Sequence, residues 1–427
     1  MSFTFGLAGI FALILVGVPV VAAIGAVGLL LATADGVPVS IAAQAVFHGV
    51  NSFTLLAIPL FVLTGEILNR SGAAERLVRF ITMLVGWMTG GLGMSVVAST
   101  MIFSGLSGSV NADAAAIGST MIPPMTTAGY RRPWSASIVA AASGTGILIP
   151  PSITMIVLGT VANLSIRDLF LASLIPAAVV ASGKVVVIYL YARYREPTVE
   201  QIRITPRGLA VAGLQATPAL VAPVIILGGI LAGVFTATEA AAVAVLYSVL
   251  LALTYRTVSP AGWLRIFVAA GRTSGVVLSL VGVAQLLAYM LAYDQVELAL
   301  ADWAGGFTGT YVVFITVVTV LFWALGALLD GVPALVVLIP LFMPLAEEAG
   351  MSDLHFAVFS LAVFGISLVT PPLGSACFIV SGIAEIKIVE MFRPMLPFMA
   401  IMFATILLLA YVPAFSEWLP SVVSGAG

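Results

Sequence analysis

The chain has 427 residues, 61% of them hydrophobic and 8% charged, with a mean hydropathy of +1.20. Soluble domains carry about a quarter charged residues, so this composition excludes a water-exposed globular surface. At a net charge of −2, with Lys and Arg in short clusters between apolar runs, no basic stripe marks a nucleic-acid partner, and the single Cys377 excludes an intrachain disulfide and a cysteine metal cluster.

A membrane-spanning helix needs ~20 mostly apolar residues, and such runs recur from end to end. The stretch Phe3 to Leu31 lacks a basic leader and continues into apolar sequence, so 1–16 and 18–34 are expected to be membrane helices rather than a cleaved signal. Of these, 1–16 is short for a crossing. A third span, 52–68, ends with Glu66 beside Arg70 and Arg76, the setting of an interfacial ion pair. Segment 71–88 is amphipathic and is expected on the membrane surface. The apolar run Gly91–Met125 must leave on the side it entered, which predicts a re-entrant hairpin (about 91–125) with a polar tip, Ser104 to Asp113. A spanning helix over 134–163 is broken at Ser143-Gly-Thr-Gly-Ile-Leu-Ile-Pro-Pro-Ser152. Span 168–192 follows, with Lys184 expected to snorkel toward the cytoplasm.

A polar joint at 196–208, read as a cytoplasmic linker, precedes spans 209–231, 233–255 and 273–290. Glu239, after Thr236 and Thr238, is expected to cap a helix or to contact another subunit rather than substrate. Amphipathic 294–304 leads to a second hairpin (about 310–344) with its polar interruption at Gly326 to Pro333. A second broken helix (354–386) is interrupted from Ser367 to Ser375, and 391–412 closes the chain. His48 and His355 are expected at the surface, and Trp87, Trp263, Trp303 and Trp418 in interface belts.

The second series repeats the first. Pro123 and Pro344 lie 221 positions apart, as do Gly129 and Gly350, Pro150-Pro151 and Pro371-Pro372, and Pro176 and Pro397. Shared Pro and Gly register over such a length marks two homologous halves, 1–195 and 209–427. Arg131-Arg132 falls opposite Ser352-Asp353, and the basic loop with Arg70, Arg76 and Arg79 opposite Asp294, Glu297 and Asp302. Because basic loops stay cytoplasmic, the halves are expected to have inverted topology. That arrangement puts 14 of the 16 basic residues on one side, Arg167 and Lys184 excepted.

Unwound backbone inside a bilayer survives only where it is buried in protein or lines a cavity. Carbonyls and hydroxyls there suit a hard cation such as Na⁺, and freed helix N-termini suit an anion. A lone Gly/Ser patch is ordinarily helix packing, as Gly86–Gly90 and Gly229–Gly233 are read. Four breaks paired by the repeat point instead to two pseudo-symmetric cation sites around one substrate site. Acids inside a membrane are costly unless used. Asp113 and Asp330 are therefore weighed as site residues against Asp113 as a helix cap.

Asn51-Ser-Phe-Thr-Leu-Leu-Ala-Ile-Pro-Leu-Phe61, Ser104-Gly-Leu-Ser-Gly-Ser-Val-Asn-Ala-Asp113, Gly146-Ile-Leu-Ile-Pro-Pro-Ser152 and Thr370-Pro-Pro-Leu-Gly374 resemble motifs of the large membrane (M) subunit of TRAP (tripartite ATP-independent periplasmic) transporters. The resemblance runs almost the whole length. It implies an all-α polytopic, elevator-type fold of the ion-transporter-superfamily kind in a bacterial inner membrane. It further implies Na⁺ as coupling ion with no other cofactor, a separate small four-helix membrane subunit, and a periplasmic binding protein that delivers an organic acid. The family's Na⁺ sites match Ser107, Ser109, Asn111, Gly146, Asp330, Thr370 and Gly374. The remaining polar residues of the breaks, Ser104, Asp113, Ser143, Thr145, Ser152 and Ser375, are the candidate substrate contacts; no Arg or Lys lies among them.

Two rival readings stand beside this one. A single-component Na⁺/dicarboxylate symporter of related architecture would need no binding protein. Gly105-Leu-Ser107-Gly108 has the GxSG form of an intramembrane serine protease, whose serine needs a histidine base. With only His48 and His355 available, both read as superficial, the chain is expected not to be an enzyme.

Overall fold

The computed structural model describes residues 3–195, 205–295, 311–329 and 331–424. Among these the regular structure is entirely helical, and nine segments are long and apolar enough to cross a membrane. The all-α polytopic class expected from the sequence is the fold the chain adopts.

The first helices are α1 (Phe3–Leu15), α2 (Val20–Ala34), α3 (Val39–Val50), α4 (Ala57–Arg70, entered through a 3₁₀ turn at Phe53–Leu56) and α5 (Ala73–Val85). At 13 and 15 residues, α1 and α2 are shorter than the crossings expected for 1–16 and 18–34, because the turn around Gly17 and Pro19 takes up length. They pack against each other as a short pair. Helix α5 buries Ala73, Ala74, Leu77, Val78 and Ile81, a single stripe at helical spacing, and turns Glu75 and Arg79 outward. Glu66 pairs with Arg70 at 3.5 Å, whereas Arg76 lies over the Tyr255 ring, 3.8 Å from its centroid.

The first hairpin is α6 (Gly91–Ser107) and α7 (Val110–Thr127), and the broken helix is α8 (Arg132–Thr145), a 3₁₀ turn (Gly146–Leu148) and α9 (Ile153–Val161). Helix α10 (Ile166–Arg195) ends the first half. The second half begins with α11 (Pro206–Leu231), α12 (Ala237–Tyr255) and α13 (Pro260–Tyr293). Thr236 and Glu239 form a reciprocal capping box on α12, the role expected of Glu239. Helix α13 runs unbroken for 34 residues, well beyond the expected 273–290, since Ser259 caps it at Pro260 and nothing in between stops it.

The second hairpin is α14 (Tyr311–Leu329) and α15 (Gly331–Glu348); Asp330 lies outside the described residues. The second broken helix is α16 (Asp353–Ser367) and α17 (Ser375–Ala384), followed by α18 (Phe392–Tyr411). A last helix, α19 (Ala414–Ser424), starts after Pro413 and was not anticipated; it packs on α10 and α16. Of the amphipathic stretch 294–304, all but Asp294 and Gln295 lies outside the described residues, as do Glu297, Asp302, Trp303 and 196–204 of the joint.

The hairpin pairs are α6–α7 and α14–α15, and the broken helices α8–α9 and α16–α17. Their packing is crossed. Helix α17, from the second broken helix, lies against α7 and α8, while α9, from the first, lies against α15. Outside this core, α13 runs along α2, α3 and α4, and α12 packs on α4. The most apolar 18 residues of Arg132–Val161 are 89% buried, against 28–61% in the other candidate spans, and residues 355–371 of the second broken helix are buried throughout, so the two broken helices lie at the centre of the molecule.

Candidate functional site

The polar tip of the first hairpin folds around one acid. Gly108 turns the chain at φ +62°, a left-handed conformation that glycine adopts without steric cost, and Ser109 caps α7 by accepting the Ala112 N–H at 3.4 Å. Asp113 is therefore not the cap. It is completely buried, and its carboxylate accepts hydrogen bonds from the hydroxyls of Ser104 and Ser107, one to each oxygen. With their protons committed to Asp113, both serine oxygens keep lone pairs for another partner. Ser107 uses one to accept the Ser109 N–H at 3.3 Å.

The first break wraps this cluster. A β-carbon added to Gly146 would lie 2.5 Å from Asp113 Oδ2 and 2.7 Å from Ser104 Oγ, so any larger residue must displace both side chains. The Ile153 N–H donates to the Gly108 carbonyl at 3.1 Å, tying the start of α9 to the hairpin turn. On the outer side, an added β-carbon at Gly65 of α4 would sit 3.2 Å from the Ser107 backbone, so α4 closes on the tip. Ser152 is buried, and its hydroxyl has no hydrogen-bond partner among the described residues.

In the second break, Thr370 donates to the Ile366 carbonyl at 2.6 Å and accepts from Trp323 Nε1 at 3.0 Å. Gly374, which starts α17, donates its N–H to the Thr370 carbonyl at 2.8 Å, and an added β-carbon would lie 2.5 Å from the Leu368 carbonyl oxygen. Both Pro-Pro peptides, Pro150-Pro151 and Pro371-Pro372, are cis.

Among the contacts that join the halves, two lie at the polar tips and breaks. Ser375 Oγ donates to Asn111 Oδ1 at 2.9 Å, bringing the start of α17 onto the first hairpin. Gly144 and Gly365, 221 positions apart, face each other: a β-carbon on either would lie 2.8 Å from the other's carbonyl oxygen. Such a reciprocal contact between equivalent residues is what a two-fold relation produces on its axis. Gly331 approaches both breaks, its built β-carbon 3.3 Å from Leu368 and 3.8 Å from Ile147.

The expected residues thus divide. Ser104, Ser107, Ser109, Asp113 and Gly146 form one cluster, Asn111 and Ser375 bridge the halves, and Thr370 and Gly374 shape the second break. Ser143 faces its own helix, donating to the Val139 carbonyl at 2.9 Å. Thr145 accepts a hydrogen bond from Lys184. That lysine corrects the expectation of snorkelling: its ammonium is completely buried and donates to Thr145 Oγ1 and the Ala141 carbonyl. A lone charge in the middle of an apolar 30-residue helix was the signal that could have found it. Trp323, the partner of Thr370, gave no such sign.

His355 is likewise buried rather than superficial, its Nδ1 2.6 Å from Ser416 Oγ on the unanticipated α19. His48 is exposed. Among the described hydrogen bonds Ser107 Oγ pairs with Asp113 and the Ser109 N–H and with neither histidine, so the histidine base expected of an intramembrane serine protease is not beside it.

Residues 7–415 match the family described as "Tripartite ATP-independent periplasmic transporter, DctM component". The chain is 34% identical over 400 residues to the sialic acid TRAP transporter large permease SiaM of Vibrio cholerae, covering 93% of each. It is 34% identical over 399 residues to the C4-dicarboxylate TRAP transporter large permease DctM of Pseudomonas aeruginosa, covering 93% of this chain and 92% of that one. Against the isethionate TRAP transporter permease DctMQ of Oleidesulfovibrio alaskensis the identity is 33% over 409 residues; 95% of this chain is matched but only 64% of the longer relative. In structure the chain is similar to the YdaH transporter of Alcanivorax borkumensis, with a TM-score of 0.59 at 18% identity, covering 87% and 86% of the two chains; that likeness concerns the fold alone.

Proposed function

The chain belongs to the DctM component family of tripartite ATP-independent periplasmic transporters as a large permease subunit, and from that premise we propose that it carries a small organic acid inward together with Na⁺. It does so in the inner membrane of a bacterium. The observation that carries the reading is the meeting of the two breaks, at Gly144 with Gly365 and at Asn111 with Ser375. A carrier needs its ion and solute sites at the joint between elements that move together.

In this reading Ser107, Ser109, Asn111 and Gly146 hold one Na⁺, and Asp330, Thr370 and Gly374 hold a second. The hydroxyl protons fixed on Asp113 support the first assignment, because they turn oxygen lone pairs toward a cation. Ser104, Asp113, Ser143, Thr145, Ser152 and Ser375 remain the pool from which the solute contacts come. The free hydroxyl of Ser152 at the start of α9, and the N-terminus of α17 at Ser375, suit a carboxylate best. Relatives named for sialic acid, C4-dicarboxylates and isethionate support an organic anion.

Na⁺ orders the tips, completes the solute site and permits the hairpins with their broken helices to slide against α2–α4 and α11–α13. Differential affinity of the ion for the solute-ready state supplies the coupling. The two halves are inverted repeats, 1–195 and 209–427, and the chain catalyses no covalent chemistry. A separate small membrane subunit braces the outer helices, and a periplasmic binding protein hands over the solute. Uptake into vesicles reconstituted with all three proteins tests this: an inward Na⁺ gradient is expected to drive accumulation. Uptake indifferent to that gradient defeats the coupling, and full uptake without the binding protein defeats the tripartite arrangement.

A further inference from the structure

Lys184 is a buried amine with no carboxylate within ion-pairing distance among the described residues. What it has instead is the last turn of α8, through the Ala141 carbonyl and the Thr145 hydroxyl. The C-terminal end of a helix carries free carbonyls and a partial negative charge, and an ammonium on its last turn neutralises both. These are the same kinds of oxygen that would dress a Na⁺. Directly after Thr145 comes Gly146, whose α-carbon packs on the Asp113 carboxylate. A two-residue joint, Thr145-Gly146, therefore touches a buried base through Thr145 and a buried acid through Gly146.

We propose that Lys184 is a tethered cation built into the first break, a positioning residue that holds the α8 end and opposes Asp113 across Thr145-Gly146. It rests on the Na⁺-coupled reading above. When Na⁺ leaves, Asp113 and the α8 carbonyls still face one positive charge, so the break keeps its shape. When Na⁺ arrives, it binds against the repulsion of that charge. Lys184 thus weakens Na⁺ binding enough for release on the inner side, a requirement of any carrier that must let go.

The test uses the intact permease with its partners and compares wild type, Lys184→Gln and Lys184→Met. Gln keeps hydrogen-bond donors without charge; Met keeps the length alone. Both are expected to lower the half-saturating Na⁺ concentration about three- to tenfold and to lower the maximal uptake rate, since release slows. Restoration of the wild-type Na⁺ dependence by Gln but not by Met would mean that hydrogen bonding matters and charge does not, which overturns the proposal. An unshifted or raised half-saturating Na⁺ concentration in both variants overturns it too. If wild type itself ignores Na⁺, the coupling reading fails and this proposal goes with it; a responsive wild type with unshifted variants refutes Lys184 alone. Thermal unfolding gives a second measurement that needs no transport. Lys184→Met is expected to lower the midpoint, and adding Asp113→Asn to raise it again, because both charges are then gone. A double variant no more stable than Lys184→Met overturns the pairing.

Discussion

Replacing Gly146 by alanine probes the centre of the proposed first cation site with a single methyl group. That methyl would arrive 2.5 Å from Asp113 Oδ2 and 2.7 Å from Ser104 Oγ, whereas ordinary contact begins at 3.4 Å. The carboxylate must retreat by roughly 0.9 Å, into a region where Asp113 is completely buried. Overpacking of this kind costs about 1–3 kcal/mol. Retreat also stretches the bonds from Ser104 and Ser107, each worth about 1.5–3 kcal/mol because the acceptor is charged. Relaxation trades one loss against the other, so about 2–3 kcal/mol is expected to fall on the state that binds Na⁺. At 1.4 kcal/mol per tenfold, the half-saturating Na⁺ concentration should rise about 30- to 150-fold. The assay is Na⁺-dependent uptake in vesicles, read beside the thermal midpoint with and without Na⁺. Gly382→Ala serves as control: that helical glycine is exposed with nothing within 4 Å, and alanine there should stabilise by about 0.5–1 kcal/mol. A Gly146→Ala permease with the Na⁺ dependence and melting of wild type refutes the reasoning.

Other outcomes follow from the same geometry. Asn111→Ala and Ser375→Ala should each lower the thermal midpoint, and a double-mutant cycle should return a coupling of about 1 kcal/mol; additivity would mean that the 2.9 Å bond between the halves does not form. Trp323→Phe removes the donor to Thr370 while keeping a ring, with an expected cost of about 1 kcal/mol and a weaker response to Na⁺; an unchanged response would detach Thr370 from the ion. For orientation, single cysteines at the exposed positions Arg131 and Asp353 in a Cys377→Ala background should react from opposite sides of the membrane, and labelling from one side only would dismantle the inverted arrangement.

Most of the architecture could be read from backbone punctuation. Prolines and glycines in a 221-residue register mark both hairpins and both breaks because these residues dictate turns through their own backbone, whatever surrounds them. What escaped depended on tertiary context. Lys184 looks like a snorkelling residue until α10 is seen to lie along α8, where carbonyl and hydroxyl oxygens receive its ammonium. His355 looks superficial until α19 folds back over it, and that helix follows a proline that ends the last apolar run. Asp113 could be read as a cap or a site residue from spacing alone; the structure gives the cap to Ser109 and turns Asp113 to Ser104 and Ser107. Hydropathy reports how a residue meets solvent or lipid, and it is silent on partners from remote parts of the chain.

The crossed packing of α9 and α17 carries a consequence for how such a protein can be made or divided. Each hairpin is clad by a helix from the opposite half, so a fragment ending at 195, or one starting at 205, would present a bare groove to the lipid. Neither fragment is a finished object. Each half is completed only by the other, so the two are expected to insert and fold as one unit.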